Sequence, residues 1–202
     1  MAKHVLKTIL VTVFALIFVV AFFLMGTAVF APSKIADLYN DAGFRYRAKI
    51  YAEKAYEKND SIDDLVLLVK VSSLCSDENN TAKYAKILLE RSDFANYCEI
   101  NSLDAEKFYD EIASEYIKSC YSLGGMKVSE LCNEAMNYSR DYRELNAVES
   151  LILEASKEGD KSTLSGVLNV LTAFQNAGNC PERSRERLNK DVENLKTLIG
   201  RL

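Results

Sequence analysis

The chain has 202 residues, with 25 Lys and Arg against 29 Asp and Glu and a formal net charge of −4. That balance argues against nucleic acid as a partner, because phosphate binding needs a concentrated basic surface and no long run of like charge occurs. The apolar residues are unevenly spread: the first ~30 positions are strongly hydrophobic, leaving roughly 170 for one domain with a buried core.

At the N-terminus, Lys3 and Lys7 are the only charged side chains before Lys34, His4 counting as neutral. The 25 basic residues less these two leave 23 against 29 acidic ones beyond the apolar segment, a balance of −6. Ile9 to Phe30 spans 22 residues. As a helix that is about 33 Å, against a hydrocarbon core of ~30 Å. Val13 to Met25 has no polar face, as a core helix of a soluble protein would have. Residues 9–31 are therefore predicted as a transmembrane helix, preceded by a short cytoplasmic tail (1–8) and followed by a soluble domain (32–202).

A cleaved signal peptide is the competing reading. Lys3 and Lys7 suit its positive start, and Gly26-Thr27-Ala28 offers small residues at a cleavage spacing. The apolar run exceeds the usual ~7–15 residues of such a region, and a cut after Ala31 would leave Pro32 at once behind it, so a retained anchor is favoured. Lys3, Lys7 and the free amine place the N-terminus in the cytoplasm and the domain outside. Lys34, Arg45, Arg47 and Lys49 count against that orientation, with Asp37 and Asp41 among them.

Beyond Pro32 the punctuation falls at helix-sized intervals. Ile35 to Ala42 reads as a short helix stopped by Gly43, and Phe44 to Lys58 as a second. Ser61 with Asp64 starts a third, carrying Leu65, Leu68, Val69 and Ser72. Asp77 to Asn80 reads as a break, Thr81 to Arg91 as helix, and Asp93 to Asn101 as a connection. Phe108, Ile112, Tyr116 and Cys120 recur every fourth residue, an amphipathic stripe ending at Gly124-Gly125. Val128 to Tyr138 follows with Leu131, Cys132, Ala135 and Met136, then a helix bearing Leu145, Val148, Ile152 and Ala155 up to Gly159. Asp160 caps a helix with Leu164, Val167, Leu168, Leu171 and Phe174, closed by Gly178. Pro181 suits the first turn of the last helix. The fold class is all-α: a transmembrane helix followed by about nine soluble helices joined by short loops, stacked as antiparallel hairpins in the manner of an α-solenoid.

Tyr51-Ala52 with Glu57-Lys58 returns 33 residues later as Tyr84-Ala85 with Glu90-Arg91. In Tyr39-x3-Gly43-x4-Ala48-x6-Ala55 an aromatic residue, a turn glycine and two small residues follow one another at the spacing of a helix pair. This first unit resembles a tetratricopeptide repeat, over about 35 residues well and 60 poorly. The second unit lacks the turn glycine, and Asp60 stands where the family has proline. The resemblance implies a hairpin whose turn and close-packed seam are Gly43, Ala48, Tyr51, Ala52 and Ala55. These are structural positions rather than a ligand site.

Little points to chemistry. No phosphate-cradling glycine loop, H-E-x-x-H pair or nucleophile elbow occurs, and the single His4 sits beside the apolar segment. Asp63-Asp64, Asp77-Glu78 and Asp110-Glu111 read as solvated faces and helix-start charges, since adjacent acids on a helix diverge. The five cysteines, Cys75, Cys98, Cys120, Cys132 and Cys180, form no C-x-x-C pair and fit no zinc finger. Cys120 and Cys132 flank a turn and could meet across it. Buried free thiols are the simpler reading. No catalytic residue, cofactor or metal is therefore expected.

Leu188, Val192, Leu195, Ile199 and Leu202 alternate by four and three residues, either a coiled-coil seam or the stripe by which a terminal helix caps the stack. The expected function is a membrane-anchored helical-repeat adaptor or scaffold with a monomeric soluble domain. It would bind an unidentified protein or peptide, a role that a subunit of a membrane complex would also fill. A self-associating structural bundle using the C-terminal heptads is the alternative, and an enzyme of unknown type comes third.

The retained anchor has a direct check. After carbonate washing, the full-length chain should stay with the membrane pellet, and a mature product starting near Val29 or Pro32 would show cleavage instead.

Overall fold

The computed structural model describes residues 9, 11–21, 26, 31–139, 142, 146–178 and 180–202. Every regular element among them is a helix. The first, α1, is described over residues 11–21. It is followed by α2 (Pro32–Asp41), α3 (Arg45–Asn59), α4 (Ile62–Leu74), α5 (Glu78–Glu90) and α6 (Phe94–Ile100). Then come α7 (Ala105–Leu123), α8 (Val128–Asn137), α9 (Ala147–Glu158), α10 (Lys161–Asn176) and α11 (Glu182–Arg201). The chain divides into two compact units, Met1–Val71 and Ser72–Leu202.

Among the described residues no helix is long and apolar enough to cross a membrane. The predicted span Ile9 to Phe30 is described only at residues 9, 11–21 and 26, so its full length lies outside the described residues. What is described of α1 has no buried face: Phe14, Leu16, Phe18 and Val19 are 60%, 67%, 76% and 68% exposed.

In the first unit, α2 opens on Pro32, whose missing N–H costs nothing at a helix start. Its end turns back through Gly43 at φ +78, a left-handed conformation that a side chain disfavours. Phe44 N–H closes the turn onto the Tyr39 carbonyl at 2.8 Å. The returning helix α3 packs on α2. It buries Ala48, Ala52 and Ala55 completely, residues one and two turns apart on one face. Helix α3 ends on Asp60 at φ +46. Proline is locked near −65° and cannot adopt that angle, so this exit differs from the proline exit of the tetratricopeptide pattern. Ser61 and Asp64 start α4 as predicted. Asp64 N–H donates to Ser61 Oγ at 3.1 Å, and Ser61 Oγ and Asn59 Nδ2 both donate to Asp64 Oδ2 at 2.8 Å.

The second unit is built from alternating contacts. Helices α5, α7 and α9 pack side by side, α8 packs on α10, the pairs α7–α8, α8–α9 and α9–α10 join the two rows, and α11 packs on α10. Side-chain caps set the starts: Asp77 for α5, Asp104 for α7, Asn146 for α9 and Asp160 for α10 all accept first-turn N–H groups. Leu188, Val192 and Leu195 on α11 are buried within the single chain, whereas Leu202 is 51% exposed.

Several predictions need correction. Helix α5 starts at Glu78, because Asp77 is its cap and not part of a break. The expected connection over 93–101 is the short helix α6, which buries Phe94 and Cys98 one turn apart behind the Arg91–Asp93 pair at 2.8 Å. Asp64 and Asp110 are buried rather than on solvated faces. In α9 Leu151 is fully buried, as are Ala147 and Ala155, and Ile152 is half-buried, while Leu145 lies outside the described residues. Pro181 is the residue before α11 rather than its first turn.

The tightest approach lies between α8 and α10. A β-carbon at Gly166 would come 2.5 Å from Val128 Cγ1 and 3.5 Å from Cys132 Sγ. Valine is stiff at χ1 and cannot swing away. Gly166→Ala should therefore lower stability by about 1–3 kcal/mol, although alanine gains ~1 kcal/mol over glycine in helix propensity. Thermal melting followed by circular dichroism reads the change, and an unchanged or raised midpoint would contradict the close approach.

Candidate functional site

The seam residues inferred from the repeat pattern lie together on the α2–α3 hairpin. Ala48, Ala52 and Ala55 are fully buried. Gly43 makes the turn, and the Tyr51 ring stacks on Tyr39 with centroids 5.6 Å apart. The contacts these residues show are those of helix packing.

All five cysteines are free thiols, and only Cys75 is not buried. Burial pushes the Cys132 thiol up to about 11. Burial also raises Cys120, with the Glu134 carboxylate adding to it, while its contact with Tyr116 and the Lys86 charge pull the other way. Neither thiol is a ready nucleophile, since the thiolate is the reactive form. Among the described residues no three His, Cys, Asp or Glu are placed to hold a metal ion.

A more distinctive feature is a row of aromatic rings across α6, α7 and α8. Tyr97 lies 6.1 Å from Phe108, Phe108 stacks on Phe94 at 5.5 Å, and Phe94 meets Tyr109 edge-on at 5.9 Å. Tyr109 lies 6.2 Å from Tyr138, which meets Tyr116 edge-on at 5.4 Å. Phe94 and Tyr116 are buried, while Tyr97, Phe108, Tyr109 and Tyr138 keep part of their rings at the surface. At one end of the row Glu134 is the hub: Tyr116 Oη donates to its Oε1 at 3.0 Å, and Lys86 Nζ does so at 3.3 Å. Burial, with Glu134 and Glu90 nearby, pushes the Tyr138 hydroxyl up to about 12. The row offers apolar faces with hydroxyl groups, the composition enriched in protein-binding patches. The sequence signalled only part of this, through Phe108 and Tyr116 on the α7 stripe. Tyr109 and Tyr138 fall off the four-residue period, and the sequence of α6 has the look of a connection.

A second cluster was not legible at all. Tyr142 is fully buried at φ +64, an unusual conformation for a bulky residue. Its hydroxyl donates to Asp191, the Arg187 guanidinium lies 5.8 Å from its ring centre, and Arg187 pairs with Glu149. Thus α9, α11 and Tyr142 are tied at one polar knot. Burial raises the Glu149 carboxyl, Asp191 adds to the rise, and Arg187 opposes it. Conformations of this kind persist only where the surroundings impose them.

Compared with known protein families, curated proteins and solved structures, the chain matches none.

The knot predicts a signed pH dependence. Because folding raises the Glu149 pKa above its ordinary 4.5, the folded state binds this proton more tightly than the unfolded chain does. The stabilisation from Glu149 is complete below that value and is lost as pH rises through the raised one. Glu149→Gln removes this term, so wild type should lose its advantage over the variant as pH climbs from about 4.5. Urea melts of both chains across the acid-to-neutral range read the difference. A gap that widens with pH would mean that Arg187 holds Glu149 ionised.

Proposed function

We propose that the protein is a membrane-anchored helical scaffold whose extracytoplasmic domain holds another protein or peptide. The observation that carries the reading is the two-row packing of α5, α7 and α9 against α8 and α10, the kind of arrangement by which stacked hairpins make a groove for extended or helical partners. The α2–α3 hairpin, with its small-residue seam, is consistent with a tetratricopeptide-like opening unit. The anchor is supported by α1, whose large apolar side chains point outward on every side. Such a helix in water would expose far more apolar surface than a soluble domain tolerates, whereas lipid is its natural solvent.

The partly exposed rings of Phe108, Tyr109 and Tyr138, with Lys86 and Glu134 beside them, are the surface best suited to the partner. Aromatic side chains bury large area at low entropic cost, and the flanking charges supply orientation. Self-association through the C-terminal heptads is the weaker reading, since Leu188, Val192 and Leu195 are already buried inside one chain. A catalytic role is not favoured by the Cys120 and Cys132 thiols, whose ionisation burial opposes.

Photocrosslinking of the anchored full chain in its own membrane tests the binding face. A benzophenone side chain at Tyr109 or Tyr138 should give one discrete heterologous product, and the same group at exposed Leu153 on α9 should give none. A product of twice the chain's own mass would favour self-association, and the same pattern from all three positions would remove the aromatic row as the binding face.

A further inference from the structure

The α2–α3 hairpin carries an exposed feature that the scaffold reading leaves unused. Leu38, Phe44 and Tyr46 are 55%, 58% and 68% exposed. All three gather at the turn end: Leu38 in the last turn of α2, Phe44 immediately before α3 and Tyr46 in its first turn. Basic groups surround them. Lys34, Arg45 and Arg47 are exposed and Lys49 is half-buried. Lys49 Nζ lies 5.4 Å from the Tyr46 ring centre and the Arg47 guanidinium 5.8 Å from that of Tyr39. The stretch 34–49 holds these four cations and two acids, Asp37 and Asp41, and so carries +2 within a domain whose overall balance is −6. Exposed aromatic and aliphatic side chains interleaved with Lys and Arg are the composition of a membrane interface, where rings sit at headgroup level and cations meet phosphate.

We propose that the turn end of the α2–α3 hairpin docks on the surface of the bilayer. Leu38, Phe44 and Tyr46 enter the headgroup layer, and Arg45, Arg47 and Lys49 meet lipid phosphates. The inference rests on α1 being the anchor. Helix α2 has 10 residues, about 15 Å, so a hairpin standing upright would carry its turn beyond the headgroups. Lying along the surface brings the turn into reach. The backbone allows it: Ala31 at φ −139 and ψ 66 is not helical and Pro32 follows, so α2 does not continue from the chain before it as one helix. Lipid phosphates occur in both leaflets, so the proposal does not depend on which side the domain occupies. A second copy of the chain would suit the site less well, because two such turns would bring like charges together.

The chain contains no Trp, so a single introduced indole is a clean reporter. The full chain is reconstituted in vesicles of phosphatidylcholine and phosphatidylserine in roughly equal amounts. They carry spin-labelled lipid with the quencher either shallow or deep. Three variants are compared: Phe14→Trp on α1, Phe44→Trp at the turn, and Leu153→Trp on α9. The expected result is deep quenching at Phe14→Trp, a blue shift with shallow quenching at Phe44→Trp, and neither at Leu153→Trp. Adding Arg45→Glu and Arg47→Glu should weaken the shallow quenching and leave Phe14→Trp unchanged. Absence of quenching at Phe14→Trp would remove the anchor and this proposal with it. Quenching at Phe14→Trp, with Phe44→Trp indistinguishable from Leu153→Trp, would overturn the docking alone. So would a blue shift that grows with protein concentration in detergent, which would identify a second copy as the occupant.

Discussion

The fold depends on how closely its helices approach, and that is decided by residues with almost no side chain. Ala48, Ala52 and Ala55 on α3, Ala85 on α5, Ala113 on α7, Ala135 on α8 and Ala155 on α9 are all completely buried. At such points the backbones themselves come near, and the larger residues beside them fill the remaining space. Gly166 is the extreme case, where even a methyl group would overlap Val128. Removing bulk at the crossing lets flanking leucines such as Leu88, Leu151, Leu164 and Leu171 bury fully, and that burial supplies most of the cohesion.

Polar groups then fix how the packed helices are joined. Asp77, Asp104, Asn146 and Asp160 occupy first-turn N–H groups that would otherwise lack partners. Glu134 gathers Lys86 from α5 and Tyr116 from α7 onto α8, and Arg187 of α11 pairs with Glu149 of α9. Hydrophobic packing is tolerant of small rotations, whereas a half-buried carboxylate leaves an unmet charge if its partner moves. The polar contacts therefore specify the arrangement more than they strengthen it. At Tyr142 this specification extends to holding a bulky residue in a left-handed conformation.

The roles proposed for this protein reside on its surfaces. The partly exposed aromatic row, the basic and aromatic end of the α2–α3 hairpin, and the outward-facing apolar side chains of α1 each present apolar area with a different surround. A ring row edged by Lys86 and Glu134 suits a mixed polar partner, a turn edged by cations suits phosphate, and a helix with no polar edge suits hydrocarbon.

The sequence by itself determined the helices, because their signals are local. The four-residue stripe of Ile112, Tyr116 and Cys120, the Ser61–Asp64 start, the Asp160 cap and the Gly43 turn each depend on residues within one or two turns of one another. It also identified the apolar character of the N-terminus and the small residues Ala48, Ala52 and Ala55, which α3 buries. What it could not determine is which helix meets which. Tyr51-Ala52 and Tyr84-Ala85 are near-copies, yet α3 packs on α2 whereas α5 packs on α7. A small residue permits close approach but does not name the partner. The short α6 is not legible because it is only seven residues long and buries just two of them, Phe94 and Cys98, and the burial of Asp110 is not legible because it is set by neighbours distant in sequence. The aromatic row and the Tyr142 knot belong to the tertiary structure alone. Tyr138 meets Tyr116 from 22 positions away and Tyr142 meets Asp191 from 49, and only the packed helices bring those positions together.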